Sequence, residues 1–407
     1  MTSLKIFYSI EDNFPPYRVD VAELFGHELK LFGLDIEWYM RRAKPGPAAA
    51  ESFEGQVVHL PFRAGEKGKF GKIGKLVTRL AFWLGDVSQL FACLWRPVNM
   101  IQVRDKYIAA LCGLLVARLK GVPFVYWCSY PFPEHYRELS NASGGLRKLY
   151  CRLHSWIGIN VLYRFVMHKA DHVIVQTEKM KQDVAAYGVL LDQMTSVPMG
   201  VPRRLLDWVS KHRPTVVPGR IAYLGTMVSV RQLHVVIDAF AAVRARCPEA
   251  TLLMVGDGEH PHERAALEQQ AASLGLGDAI RFTGFVPMED AWSYAASAAV
   301  CISPIHPSPI LNCGSPTKLF EYMAMGRPVV CNIHPEQTVV IDESNAGLCV
   351  EWGVKPFADA MVWMLEHPEQ AEVMGAKGPA WVAQHRTYQI IAEKVWRRYQ
   401  TILGLAA

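Results

Sequence analysis

Short β-branched and aromatic runs alternate with longer amphipathic stretches along almost the whole chain, and this limits the fold more than any other feature. Strands that recur singly between helices pair in parallel, with the helices covering both faces of the sheet. In the first half the strand signals fall at 4–10, 34–40, 57–60, 99–103, 124–127 and 172–176. A helix is expected over 17–32, after the turn Phe14-Pro15-Pro16. The second half repeats the pattern with strands at 220–224, 251–255, 280–283, 300–303 and 328–332, and helices over 233–245 and 262–274. Between the two series, Ser196-Val197-Pro198-Met199-Gly200-Val201-Pro202 has the Pro and Gly content of a linker. The reading is an α/β protein with one domain over 1–198, a second over 199–384, and an amphipathic helix in the last residues, about 385–407. Two such domains imply a cleft between them, and ligands of these sheets bind beyond the carboxyl ends of the strands.

A chain of 407 residues has room for two or three domains, and 51% hydrophobic against 20% charged residues suits large cores and excludes a disordered chain. Nine cysteines form no CxxC pair and no Cys/His cluster at zinc spacing, so reduced thiols in a cytosolic compartment and no bound metal are expected. The first residues run straight into a strand, which does not read as a signal peptide. No apolar run approaches the roughly 18 residues that span a bilayer. The formal charge is +5, and residues 1–200 hold 25 Lys and Arg against 18 Asp and Glu, so an anionic partner is expected for the first half.

The stretch from Ser315 to Val330 reads as one short helix followed by a buried strand. Ser315 suits an N-cap, Pro316 the first helical position, and Gly326 a left-handed stop. Such a start exposes the N–H groups of Thr317 and Lys318 to an anion. Lys318 adds a full charge, and Glu321 lies on the same face one turn on. A diphosphate beside a hydroxyl-bearing sugar matches this arrangement.

The second half resembles the donor domain of glycosyltransferase family 4, whose GT-B fold sets two Rossmann-like domains around a central cleft. The resemblance rests on Tyr223-Leu224-Gly225, Arg231, Asp238-Ala239-Phe240 and Val255-Gly256-Asp257-Gly258. It continues through Phe282-Thr283-Gly284-Phe285-Val286 and the run from Glu321 to Val330. Val173–Glu178 and Val197–Val201 fit the family's end-of-domain pattern. The match is good over about 170–350 and loose before it. It implies transfer of a sugar from a nucleotide diphosphate donor, UDP or GDP, to a lipid-linked or polysaccharide acceptor, with retention of configuration. It also implies a last helix that returns to the first domain.

On this resemblance Arg231 and Lys318 hold the diphosphate. Ser315, Pro316, Thr317, Glu321, Gly225, Thr226, Phe285, Val286, Cys313 and Gly314 contact the donor. Arg231 stands where Lys is usual, and Thr226 where an Arg often stands. Glu321 matches the second Glu of the family's Glu-x7-Glu signature, but Cys313 replaces the first. Where relatives place a glycine pair after the first strand, this chain has Tyr17-Arg18. Arg104 and Asp105, Ser129 and His135 end later strands and are the other acceptor-side candidates, with Asp105 also a candidate helix cap.

Residues 67–84 place Lys67, Lys69, Lys72, Lys75 and Arg79 among Phe70, Ile73, Leu76, Val77, Leu80 and Leu84. At about 100° per residue the apolar set forms one face, with Lys72, Lys75 and Arg79 on its flank, the pattern of a helix lying on an anionic membrane surface. Gly68, Gly71 and Gly74 weaken its helicity. Arg147 to Lys169 is a second basic-aromatic stretch. The reading is a cytoplasmic protein, peripheral on the inner face of the plasma membrane. No nucleic-acid partner is expected, because no recognition motif accompanies the charge. Two other readings stand beside transfer: a nucleotide-sugar epimerase of the same fold, and a membrane-associated scaffold with a degenerate donor site.

Overall fold

Two parallel sheets carry the chain, and a computed structural model describes residues 4–16, 18–65 and 71–405. Contacts divide it into one unit of Met1–Pro198 with Tyr388–Ala407 and another of Met199–Thr387. Tyr17, Lys67, Gly68, Lys69 and Phe70 lie outside the described residues, as does the side chain of Lys72.

The first unit contains β1 (Leu4–Phe14), β2 (Leu34–Arg42), β3 (Ala49–Phe53), β4 (Gln56–Leu60), β5 (Met100–Arg104), β6 (Phe124–Cys128), β7 (His172–Val175) and β8 (Met194–Ser196). Their order is β3-β4-β2-β1-β5-β6-β7-β8. Every pairing is parallel except β3 with β4, a hairpin the sequence reading missed because its outer strand is polar and mostly exposed. Alternate residues of neighbouring strands build the core under the sheet, with Ile6 and Tyr8, Ile36 and Trp38, and Val125 and Trp127 all buried. Tyr8 stacks on Trp38 at 5.3 Å and Phe25 meets Trp127 edge-on at 4.9 Å. Burying each such side chain is worth about 1.5–3 kcal/mol. The helix expected over 17–32 is wider than a plain α-helix: Asp20–Glu28 runs in π-type turns before Leu29–Leu31 closes it.

The helix Gly71–Ala92 is continuous. Its glycines sit where neighbours come close: a Cβ at Gly74 would lie 2.7 Å from the Gly65 carbonyl, and one at Gly85 would lie 2.5 Å from the Tyr39 hydroxyl. Among the described residues no helix is long and apolar enough to cross a membrane.

The second unit contains β9 (Val217–Leu224), β10 (Thr251–Val255), β11 (Ile280–Phe282), β12 (Ala298–Ser303), β13 (Val329–Asn332) and β14 (Gly347–Val350), ordered β11-β10-β9-β12-β13-β14. The chain winds outward from β9 in one direction, then returns to the other side of β9 with β12. This reversal opens a crevice at the carboxyl ends of β9 and β12. The last helix, Tyr388–Ile402, belongs to the first unit. There Tyr399 donates to Gln102 Oε1 at 2.6 Å, Trp396 stacks on Phe32, and Lys394 donates to the Ser196 carbonyl. It begins three residues later than its periodicity indicates, because Gly378–His385 closes as a separate helix and Thr387 bridges to Val201.

Candidate functional site

The helix Thr317–Ala324 is fixed from behind. Leu319, Phe320, Tyr322 and Met323 are fully buried, and the Tyr322 hydroxyl accepts the Leu224 N–H at 2.7 Å, tying the helix to the end of β9. Its N-terminus therefore opens at the crevice between β9 and β12.

A cavity of about 190 Å³ lies there, lined by Tyr223, Arg231, Gly314, Ser315, Pro316, Thr317 and Lys318, with the loop after β12. Residues distant in sequence thus meet at one site. Arg231, on the turn Ser229–Arg231, donates from Nε to Thr226 Oγ1 at 3.2 Å, and the Tyr223 hydroxyl donates to the Thr226 carbonyl at 2.9 Å. Thr226, which stands where an Arg often does in relatives, thus orients the Arg231 guanidinium. Among the described residues no carboxylate lies within ion-pair distance of Arg231. Lys318 Nζ donates to Glu321 Oε2 at 3.1 Å, and Glu321 is 3% exposed while Lys318 keeps about a third of its side chain in solvent.

The helix cap differs from its reading. The helix starts at Thr317 with Pro316 in the cap position and no side-chain cap. Ser315 Oγ turns away to accept the Met199 N–H at 3.0 Å and bonds the Glu336 carboxyl. Thr317 N–H is also engaged, by the Ser315 carbonyl, so Lys318 N–H is the donor left at this end. Cys313 is corrected as well: its thiol is 3% exposed, donates to the Pro309 carbonyl and does not line the cavity. Phe285 and Val286 also lie outside the lining. Phe285 is 72% exposed, and Val286 packs on the core. Gly225 sits behind them, where a Cβ on Gly256 (φ 127°) would meet the Gly225 carbonyl at 2.1 Å. Only glycine permits that packing of one loop on the next.

Four residues that the sequence reading passed over frame the cavity. Asn332, fully buried, accepts from Ile305 N–H and donates to the Ile305 carbonyl, holding the loop after β12 by both ends of one amide. Gln337 ties Ser303 to the Asn332 carbonyl. His334 accepts from Glu336 N–H at Nδ1, which leaves Nε2–H to donate to the Leu311 carbonyl, and burial lowers its pKa. His306 lines the cavity with its Nδ1 buried and without a partner. Asn332 ends β13 and His334 and Gln337 follow directly on it, and a polar run at the end of a buried strand was the available signal.

In the first unit the acceptor-side candidates are bound to one another. Arg18 pairs with Asp20 at 3.1 Å and approaches Asp12, so its charge is already shared by two carboxylates although about a third of the side chain stays in solvent. Arg104 is 2% exposed and donates to Asp20 at 2.6 Å. The two guanidiniums hold the Asp20 carboxyl well below the usual range against the opposing effect of burial. Asp105, at φ 57°, does not cap the helix Tyr107–Lys120. Its carboxylate accepts from Ser129 N–H at 2.9 Å and from the Ser129 hydroxyl, joining the ends of β5 and β6. His135 Nδ1 lies 3.1 Å from the Tyr130 hydroxyl, and burial lowers its pKa. Tyr17 lies outside the described residues.

Family comparisons agree with this geometry. Residues 20–200 match the glycosyl transferase 4-like domain, and residues 218–367 match glycosyl transferases group 1. Among solved structures, sucrose-phosphate synthase from Thermosynechococcus elongatus aligns with a TM-score of 0.72 at 17% identity, covering 98% of this chain and 99% of that one. Anabaena HepE in complex with UDP-glucose aligns at 0.67 and 15%, covering 98% and 100%. The fold is therefore GT-B, with two Rossmann-like units. The chain belongs to the group 1 glycosyltransferases with a family 4-like first domain. A D-rhamnosyltransferase of Pseudomonas aeruginosa is 27% identical over 217 residues, 51% of this chain and 50% of that protein. A GDP-mannose-dependent phosphatidylinositol monomannoside mannosyltransferase of Mycobacterium tuberculosis is 27% identical over 189 residues, 45% and 46%. The chain thus spans about half the length of these curated relatives.

Proposed function

We propose that this protein transfers a hexose from a nucleotide diphosphate sugar to a lipid-linked or polysaccharide acceptor, in the assembly of a cell-surface or exported glycan, with retention of configuration. One observation carries the reading: Arg231 and Lys318 line a single cavity at a helix N-terminus, with no carboxylate paired to Arg231. As the glycosidic bond breaks, its electron pair leaves with the diphosphate. Arg231, Lys318 and the Lys318 N–H stabilise the charge that develops there. Glu321 positions Lys318 and offers its second oxygen to the ribose hydroxyls. The protein supplies the positive charge itself, so the reading requires no metal or other cofactor. A relative named for GDP-mannose and a structural neighbour bound to UDP-glucose both support a nucleotide-sugar donor.

The acceptor side favours a membrane. In the helix Gly71–Ala92, Ile73, Leu76, Leu80, Trp83 and Leu84 are exposed beside exposed Lys75 and Arg79, as in a helix lying on an anionic leaflet. This supports a location on the cytoplasmic face of the plasma membrane.

A thermal-shift panel of UDP- and GDP-sugars, read against the free nucleotides, tests the donor. At least one sugar nucleotide should raise the midpoint, and failure of all of them would leave a scaffold with a degenerate site. Product formed without acceptor would indicate epimerisation. NMR of the product's anomeric proton reads retention.

A further inference from the structure

Two helices of the first unit carry the same nine-residue pattern: Lys75-Leu76-Val77-Thr78-Arg79-Leu80-Ala81-Phe82-Trp83, and Lys148-Leu149-Tyr150-Cys151-Arg152-Leu153-His154-Ser155-Trp156. In both, Lys-Leu, Arg-Leu and Trp recur at identical spacing. The second lies in the helix Gly145–Ile157. Both present the pattern the same way. The apolar members face solvent, with Leu76 57%, Leu80 43% and Trp83 43% exposed, against 65%, 52% and 60% for Leu149, Leu153 and Trp156. The opposite faces, at Phe82 and at Cys151 and Ser155, are buried.

The cations are placed alike as well. Lys75 and Arg79 line a cavity of about 350 Å³ together with Arg41, Arg42 and Arg63. Lys148 and Arg152 line another of about 460 Å³ together with Arg137. Neither lining includes an Asp or Glu. Glu11 pairs with Arg41 and Glu51 with Arg42 from outside the first cavity, which leaves Lys75 and Arg79 without a carboxylate among the described residues. The two helices have Tyr136 as a common neighbour. Tyr136 stacks on His154 at 4.9 Å and meets the Tyr150 ring, while the charge of Arg79 acts on the same tyrosine. The helix Tyr107–Lys120, packed on the Gly71–Ala92 helix and on the Gly158–Met167 segment that continues the second helix, exposes Ile108, Leu111, Leu115 and Leu119 along one side.

A basic cavity beside an exposed apolar ridge matches an amphiphile with a phosphate head. We propose that the two helices are matched sites for phosphate-bearing lipid, each holding the head between its Lys/Arg pair and the cavity wall while its Leu and Trp side chains enter the bilayer. For the Gly71 helix this rests on the membrane reading above. The Gly145 helix and the two head sites go beyond it. The charge complementarity selects an anionic bilayer as occupant over a second copy of this chain, whose matching surface is equally basic.

Sedimentation of the full chain with phosphatidylcholine vesicles, with and without phosphatidylglycerol, tests this. Each double variant, K75Q/R79Q and K148Q/R152Q, should weaken binding to the phosphatidylglycerol vesicles by roughly tenfold or more, as expected for two cations near an anionic leaflet. L149Q/L153Q should weaken binding to both vesicle types. Circular dichroism and the nucleotide-sugar thermal shift should stay unchanged, which separates this effect from unfolding and from the donor reading. If only K75Q/R79Q has an effect, the matched-site inference falls and the Gly71 helix stands alone. If the wild type binds neither vesicle, both readings fall. A dimer in light scattering that L149Q/L153Q dissociates would assign the surface to a second copy and overturn the proposal. Calorimetry with dihexanoyl phosphatidylglycerol and with a short prenyl diphosphate distinguishes a bilayer headgroup from a lipid-linked diphosphate as the source. Binding of neither would remove the phosphate sites.

Discussion

The two sheets reverse their strand order in the same way, at β1 and β5 in the first unit and at β9 and β12 in the second, yet their crevices hold charge differently. At the first, Arg18 and Arg104 converge on Asp20, and nearby Lys106 is buried on Asp86 at 2.8 Å and on Ser9. At the second, among the described residues Arg231 meets the hydroxyls of Thr226 and Tyr223 and no carboxylate, and Lys318 shares one carboxylate while about a third open to solvent. Cations already neutralised by the fold organise a core. Cations left without a full partner are available to an anion. Lysines and arginines that look equivalent in sequence therefore have opposite roles here.

Replacement of Asp20 by Asn should break this contrast most severely. It removes the nearest partner of buried Arg104, leaving it only Asp105 at 3.4 Å, and releases Arg18 to Asp12; breaking a buried pair costs about 3–5 kcal/mol. Chemical denaturation followed by circular dichroism measures the loss. A loss below 1 kcal/mol would mean that the Asp20 cluster is not structural. At the other crevice R231A should leave stability within about 0.5 kcal/mol, as for a surface change. It should lower turnover by about 10²–10³-fold, the scale of removing one preorganised group from a developing anion. K318A should behave similarly, with a smaller effect because Glu321 already shares its charge. R231K sharpens the comparison: the charge remains while the fork and its Thr226 contact are lost, so its activity should fall between wild type and R231A. Unchanged turnover in R231A would sink the site.

Much of this site could be read from the chain. The order β12, loop, helix, β13 follows from the apolar runs around Ser315–Val330, and the i to i+3 spacing put Lys318 beside Glu321 as observed. The limits of the reading share one physical cause. Ser315 stood in a good capping position, but its hydroxyl found Met199, 116 residues away, and Glu336. Arg104 finds Asp20 across 84 residues, and Asp105 finds Ser129 across 24. Local spacing identifies a charge and a secondary-structure position, whereas its partner is chosen by strand order. The polar clamp of Asn332, His334 and Gln337 was missed for the same reason: each is unremarkable until β12 and β13 lie side by side. The antiparallel strand β3 was missed because an edge strand needs little apolar pattern.

The smallest effect separates the units by their response to acid. In the first unit His172 is buried against Thr195 Oγ1 at 2.8 Å, and burial pushes its pKa down to about 4. Its folded value lies below the unfolded value of about 6.5, so the stability tied to its neutral form is lost as pH falls through that interval. In the second unit burial raises the Glu336 carboxyl to about 7 despite Arg386 at 3.2 Å. Its folded value lies above the unfolded value of about 4.3, so its contribution is present below that value and is lost as pH rises toward 7. Acidification from about pH 7 to pH 5 should thus weaken the His172 contribution and strengthen that of Glu336. His334 in the second unit, whose pKa burial also lowers, opposes Glu336 there, so single variants isolate the two effects better than whole-unit melting does. Relative to wild type, H172Q should lose less thermal stability on acidification, and E336Q should lose more. E336Q keeps an amide that can still meet Arg386 and Ser315, so the cavity wall should survive the exchange. Thermal midpoints at both pH values decide the matter: if E336Q and wild type shift in parallel, Glu336 is ionised in the folded protein throughout, and its pairing with Arg386 outweighs its burial.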